Sequence, residues 1–157
     1  REAFRDQLLQ IPGVENVGFS RAVPGTTFNN NAFLLDDDPE KNTYLRNQTQ
    51  ASFDFAQTLG VELVAGRFFS REYGEDSTAI LINEAAVKSL GLTDPVGKYL
   101  LQPQGPQQFQ RLKIIGVMKD FNIASMHTPI EPVCFTVLGN FGGDQFATVR
   151  LSGNDVP

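Results

Sequence analysis

The chain is poor in the side chains that usually announce chemistry: one cysteine, one histidine and no tryptophan in 157 residues. A lone Cys134 cannot close an internal disulfide, so the fold must rest on its core, and an oxidising compartment is neither demanded nor excluded. It lies in the apolar, strand-like run PVCFTV, where a buried small hydrophobe is the expected role rather than a nucleophile. Positive charge is also in deficit. The net charge of -5 argues against a nucleic-acid binder driven by phosphate contacts. No apolar run approaches the roughly 18 to 20 residues needed to cross a bilayer. The start has no basic segment followed by an apolar one and no initiator Met, and opening on Arg1 inside a predicted helix it reads as a piece of a longer polypeptide.

Three familiar sites are approached and missed. Gly91 to Lys98 looks like a phosphate-binding loop, but five residues separate the glycines where that motif has four. Tyr99 stands where Ser or Thr should meet magnesium, and a helix precedes the segment instead of a strand. Asp36, Asp37, Asp38 and Glu40 surround Pro39, yet the alternating oxygen ligands, central Gly and late Glu of a calcium loop are absent. A solvated acidic turn is expected there. Asp120, Ser125 and His127 supply the residue types of a catalytic triad within a few positions. Nothing resembling Gly-x-Ser-x-Gly holds the serine on a strained turn.

What is present is an ordinary globular composition, 41% hydrophobic and 20% charged, enough for one domain or two small lobes with a core of their own. Phe4, Leu8 and Ile11 fall at helical spacing, Leu9 widens the stripe, and Pro12-Gly13 stops it. Val14, Val17 and Phe19 then predict a short strand. Residues 22–31 (AVPGTTFNNN) carry turn and loop chemistry, and 32–35 form a short strand. Residues 42–52 alternate around Tyr44, Leu45 and Thr49 as a half-exposed strand would, and 53–59 predict a short helix stopped by Gly60. In VELVAGRFFS, Val61 and Leu63 point inward and Gly66 permits a tight bend. Arg67 then pairs with a carboxylate and fixes the bend, sits on the surface or, as the least favoured of the three readings, binds an anion.

The most self-consistent stretch is 77–121. A strand over 78–82 runs into Asn83, placed to cap a helix over Glu84–Leu90, with Glu84 near the positive end of its dipole and Gly91 as its stop. Pro95 suits the first corner of a turn and Gly97 a positive φ, after which 98–101 form a strand. The Gln- and Pro-rich residues 102–110 predict an exposed hairpin loop before a strand over 111–119. Beyond an irregular connection over 120–132, strands are expected over 133–138 and 145–151, joined by a turn at 139–143. Residues 152–157 approach a further element.

These blocks together resemble the periplasmic core domain of MacB-type ABC transporter permeases, a group that includes FtsX-like and lipoprotein-release permeases. The resemblance rests on Phe55 with Leu59-Gly60-Val61, on Ala65-Gly66-Arg67-Phe68-Phe69, and on Ile82-Asn83-Glu84-Ala85-Ala86. It continues through Asp94-Pro95-Val96-Gly97-Lys98, Ile115-Gly116-Val117-Met118-Lys119-Asp120-Phe121 and residues 129–132, with Ile11-Pro12-Gly13-Val14 as a lead-in. It implies a mixed α/β (α+β) fold in two small lobes. A porter-like helix-on-sheet lobe would be built from 1–23 and 133–157, and an inserted α/β lobe from 24–132. It also implies a non-catalytic, extracytoplasmic (periplasmic) domain of an inner-membrane permease, without cofactor or metal. Its partners would be the permease's transmembrane helices, a cytoplasmic ATPase and an adaptor or lipoprotein. ATP-driven motion would pass through it by mechanotransmission to efflux or lipoprotein handling. Gly66, Arg67, Asn83, Glu84, Asp94, Pro95, Gly97, Gly116 and Asp120 would then serve structure. The alternative is a module that captures a peptide or small molecule in a cleft between the lobes, some of the 13 phenylalanines lining it.

Overall fold

The strand Ala79–Asn83 is buried at all five positions, as a continuous apolar run with both faces covered requires. Alternation of side chains across it feeds two cores. Ile80 and Ile82 join Phe33, Leu100, Leu112, Ile114, Val117 and Cys134 on one side. Ala79 and Leu81 join Phe55, Phe69, Met118 and Phe135 on the other.

The computed structural model describes residues 1–139 and 146–153, and at 39 and 41–46 the backbone alone. In chain order the elements are α1 (Glu2–Leu9), β1 (Val14–Ser20), β2 (Asn29–Leu35), β3 (Asp38–Ala51), α2 (Phe55–Thr58) and β4 (Leu63–Gly66). After a 3-10 turn at Gly74–Thr78 come β5 (Ala79–Asn83), α3 (Glu84–Leu90), β6 (Tyr99–Gly105), β7 (Gln108–Met118), β8 (Cys134–Val137) and β9 (Phe146–Leu151). The fold is mixed α+β.

The nine strands among the described residues share one sheet in the order β2-β6-β7-β5-β8-β3-β1-β9, with β4 added on β7. Because β2 also pairs with β3, six strands from β2 through β6, β7, β5 and β8 to β3 close a circuit of hydrogen-bonded pairs. Within it β5 runs parallel to β7, Ile80 opposite Ile114 and Ile82 opposite Val117, and antiparallel to β8. The helix α3 lays Ala86 and Leu90 onto the core inside this circuit. Outside it, β1 is in register with β3 at Ser20 and Ala51 and pairs with β9 from Val14 to Ser20. A small cluster of Val17, Phe19 and Leu138 lies here, with Leu8 and Leu9 of α1 leaning on it.

Three predicted loops are longer strands than expected. Residues 102–110 are not a loop: β6 and β7 continue through them, Gln102 opposite Gln110, to a turn at Pro106 and Gln107. Two of the asparagines placed in the 22–31 loop, Asn29 and Asn31, already pair with β3. The acidic turn shrinks to Asp36 and Asp37, because β3 begins at Asp38. In each case main-chain pairing extends beyond the buried face, where polar side chains cost nothing. The turn predicted at 139–143 lies, past Gly139, outside the described residues, as do 154–157.

Candidate functional site

The sequence blocks meet where β4 crosses β7. A Cβ added to Gly66 would stand 2.1 Å from the Ile115 carbonyl oxygen, and one on Gly116 would stand 2.5 Å from that of Arg67. Two backbones thus pass through space that side chains would fill, and Gly66 also holds a φ of 72°. Arg67 leaves the bend with its N–H donating to Ile115 O at 3.0 Å. Its guanidinium forks onto Asp76, Nη1 to Oδ2 at 2.8 Å and Nη2 to Oδ1 at 2.7 Å. Nη1 also donates to Phe68 O, and the guanidinium carbon lies 4.0 Å from the centre of the Tyr73 ring. The Asp76 side chain is 1% exposed and accepts the Ser70 N–H as well. Burial alone would raise its pKa, but the hydrogen bonds from Arg67 and Ser70 and the charge of Arg67 hold it below the usual carboxylate value. Arg67 is pushed up, chiefly by its hydrogen bond to Asp76.

Asn83 ties β5, α3 and the approach to β8 together. Fully buried, its Oδ1 accepts from Ala86 N at 3.0 Å and Val133 N at 2.9 Å, while Nδ2 donates to Glu131 O at 3.0 Å. Next to this cap, Asp120 Oδ1 accepts the Ala85 N–H at 2.9 Å and Glu84 Oε1 accepts the Asp120 N–H at 3.0 Å. The two carboxylates sit at the positive end of the α3 dipole. In the following turn Asp94 takes a φ of 48° and Gly97 one of 93°. Pro95 O accepts the Lys98 N–H at 3.1 Å, and Gly97 N donates to Ile114 O at 2.8 Å. The Lys98 ammonium donates to Thr93 O.

The triad residue types are not assembled for a proton relay. Asp120 is engaged at α3, and the Ser125 hydroxyl accepts the His127 main-chain N–H at 3.2 Å. Cys134 is fully buried, and burial pushes its thiol pKa up, away from the reactive thiolate. Among the described residues no group of three or more carboxylate, imidazole or thiol side chains is placed to hold a metal. No helix there is long and apolar enough to cross a membrane. Two hollows flank the block. One of about 390 Å³ is lined by Arg67, Asp76, Tyr99 and Lys113. The other, about 370 Å³, lies between β4 and α3 over Val117.

The MacB-like periplasmic core domain model matches residues 1–155. The chain belongs to that family. A domain assigned to a permease protein of Porphyromonas gingivalis is 26% identical and superposes with a TM-score of 0.62, over 94% of this chain and 66% of that one. The periplasmic region of MacB from Actinobacillus actinomycetemcomitans is 14% identical with a TM-score of 0.66, over 99% and 66%. The extracellular domain of YknZ, a noncanonic ABC-type transporter of Gram-positive bacteria, is 15% identical with a TM-score of 0.63, over 98% and 73%. The last two likenesses are of fold. No curated protein sequence matches the chain. The MacB-like domain thus spans about two thirds of the first two solved relatives.

Asp76 was not singled out from the sequence, nor was the pairing of Asp54 with two arginines. Asp76 lies nine positions beyond Arg67 across an irregular segment, and no periodicity marks such a partner. The one available signal was Arg67 itself, placed directly after the bend at Gly66.

Proposed function

We propose that this domain is the periplasmic part of an ABC transporter permease, carrying motion driven by ATP hydrolysis below the membrane to a partner above it, with no chemistry of its own. The observation that carries this reading is the family match over residues 1–155. The block geometry supports it: Arg67, Asn83, Glu84 and Asp120 spend their polar atoms on the chain's own backbone and carboxylates. Such bonding suits a stiff transmitting body. The partners are the permease's transmembrane helices, a cytoplasmic ATPase, and an adaptor or lipoprotein whose handling or efflux the motion serves. Residues 1–23 with 133–157 would form a porter-like lobe and 24–132 the inserted lobe. Strand β8, paired with both β3 and β5, would be the seam.

The test uses the full-length permease with its ATPase. Met126 is 85% exposed and Cys134 fully buried, so a spin label on Met126→Cys reports on this domain without touching the native thiol. With a second label on the transmembrane part, the distance distribution should shift between the nucleotide-free and ATP-trapped states. An unchanged distribution in an actively hydrolysing transporter would overturn the reading.

A further inference from the structure

The helix α1 contains no buried residue. Its C-terminal half leans on the apolar cluster through Leu8 and Leu9. Its N-terminal half has little of that kind: Phe4 is 51% exposed and meets the Phe19 ring in a tilted arrangement at 6.3 Å between ring centres. What that half has is charge. Arg5 Nε donates to Asp54 Oδ2 at 3.0 Å. Arg71 donates through Nη1 to Asp54 Oδ1 at 3.1 Å and through Nη2 to Oδ2 at 2.8 Å, and the same Nη2 reaches Glu2 Oε2 at 3.2 Å. The Asp54 side chain is 14% exposed, less than either arginine, and the Arg71 guanidinium lies 5.3 Å from the centre of the Phe53 ring. Three segments remote in sequence, at 2–5, 54 and 71, therefore converge on one carboxylate. Arg71 belongs to the loop that Arg67 and Asp76 clamp against β7.

We propose that Asp54 is the pivot of an ion-pair latch that straps the first turns of α1 to the loop over 67–76, making α1 a releasable element rather than part of the packed core. A shared carboxylate fits this role. Its removal takes a shared partner from both arginines at once, and Glu2 gives the strap a second, more exposed attachment to Arg71. The attachment is electrostatic and partly open to solvent, so it should weaken with salt. An apolar seat would not respond that way. The latch stands whatever the domain transmits.

Native-state hydrogen exchange on the whole chain tests it. In Asp54→Asn the amides of residues 5–11 should exchange about tenfold faster while those of 80–82 and 114–117 keep their rates. Arg71→Gln should act in the same direction and less. Raising the salt to about 1 M, where the screening length falls to about 3 Å, should speed the 5–11 amides of the unaltered chain toward the Asp54→Asn rates. The variant should scarcely respond. The salt arm needs no substitution, so it stands even if Asp54→Asn fails to fold. The proposal is overturned if the 5–11 amides ignore both salt and Asp54→Asn. It is equally overturned if they accelerate by the same factor as 80–82, because α1 would then open only with the core.

Discussion

The strand β5 and the helix α1 are both short, five residues against eight, and they are held in opposite ways. Every residue of β5 is buried, with hydrogen-bonded strands on both edges and a core on both faces. No residue of α1 is buried, and charge holds its first turn. Strand β9 resembles α1 in this, with no buried position and with Val149 and Leu151 more than a third exposed. Burial near 25 cal/mol per Å² accumulates in the β5 region and scarcely at all in the terminal one. The expected consequence is a domain whose interior resists deformation while its terminal elements yield first.

The comparison breaks hardest at the crossing of β4 and β7. A methyl at Gly66 demands a positive φ and displaces the Ile115 carbonyl, so Gly66→Ala should cost about 4 kcal/mol, measured as the shift in urea midpoint at constant m. A loss under about 1 kcal/mol would mean that β4 can lift from β7 freely. Asn83→Ala comes next. It removes one acceptor serving two buried N–H groups and one donor to Glu131 O, for about 3 kcal/mol. If the cap of α3 were all that mattered, the loss would stop near 1 kcal/mol. The excess measures the tie to β8.

How much of this was legible follows the same division. Apolar continuity over 78–82, the cap at Asn83 and the stop at Gly91 are local properties, and the structure has them within a residue of where the sequence puts them. The blocks of resemblance cluster in this region as well, which is why a family could be named from them. The turn at Pro106 and Gln107 was obscured because Gln and Pro signal exposure and say nothing about main-chain pairing. The pairs Arg67–Asp76 and Arg5–Asp54–Arg71 were invisible for another reason. They join segments by the route the chain takes, and no periodic signal encodes that route.

Asp76 sharpens the contrast through pH. Its partner Arg67 is 38% exposed, so Asp76→Asn, which keeps an oxygen for the Ser70 N–H, should cost about 2 kcal/mol near neutrality. The folded-state pKa lies below the unfolded one, so the carboxylate's contribution is complete above the unfolded value of about 3.9. It fades as pH falls from there through the depressed native value. Urea midpoints of the two proteins should therefore converge in acid and separate by neutrality. A gap that stayed constant with pH would show that shape, rather than charge, makes the Arg67 clamp.

The smallest effect belongs to α1. Phe4 is half exposed and its nearest aromatic neighbour is 6.3 Å away, so Phe4→Ala removes little that folding had taken from water. The expected loss is about 0.5 kcal/mol, against the 3 to 5 kcal/mol usual for a buried phenylalanine such as Phe55 or Phe135. The two kinds of site are compared in one denaturation series, with Phe135→Leu as the buried reference so that the comparison does not depend on a variant that cannot fold. If Phe4→Ala cost as much as Phe135→Leu, α1 would be gripped by more apolar surface than its exposure shows. The division between a stiff interior and a strapped terminal helix would then have to be redrawn, with α1 on the interior side.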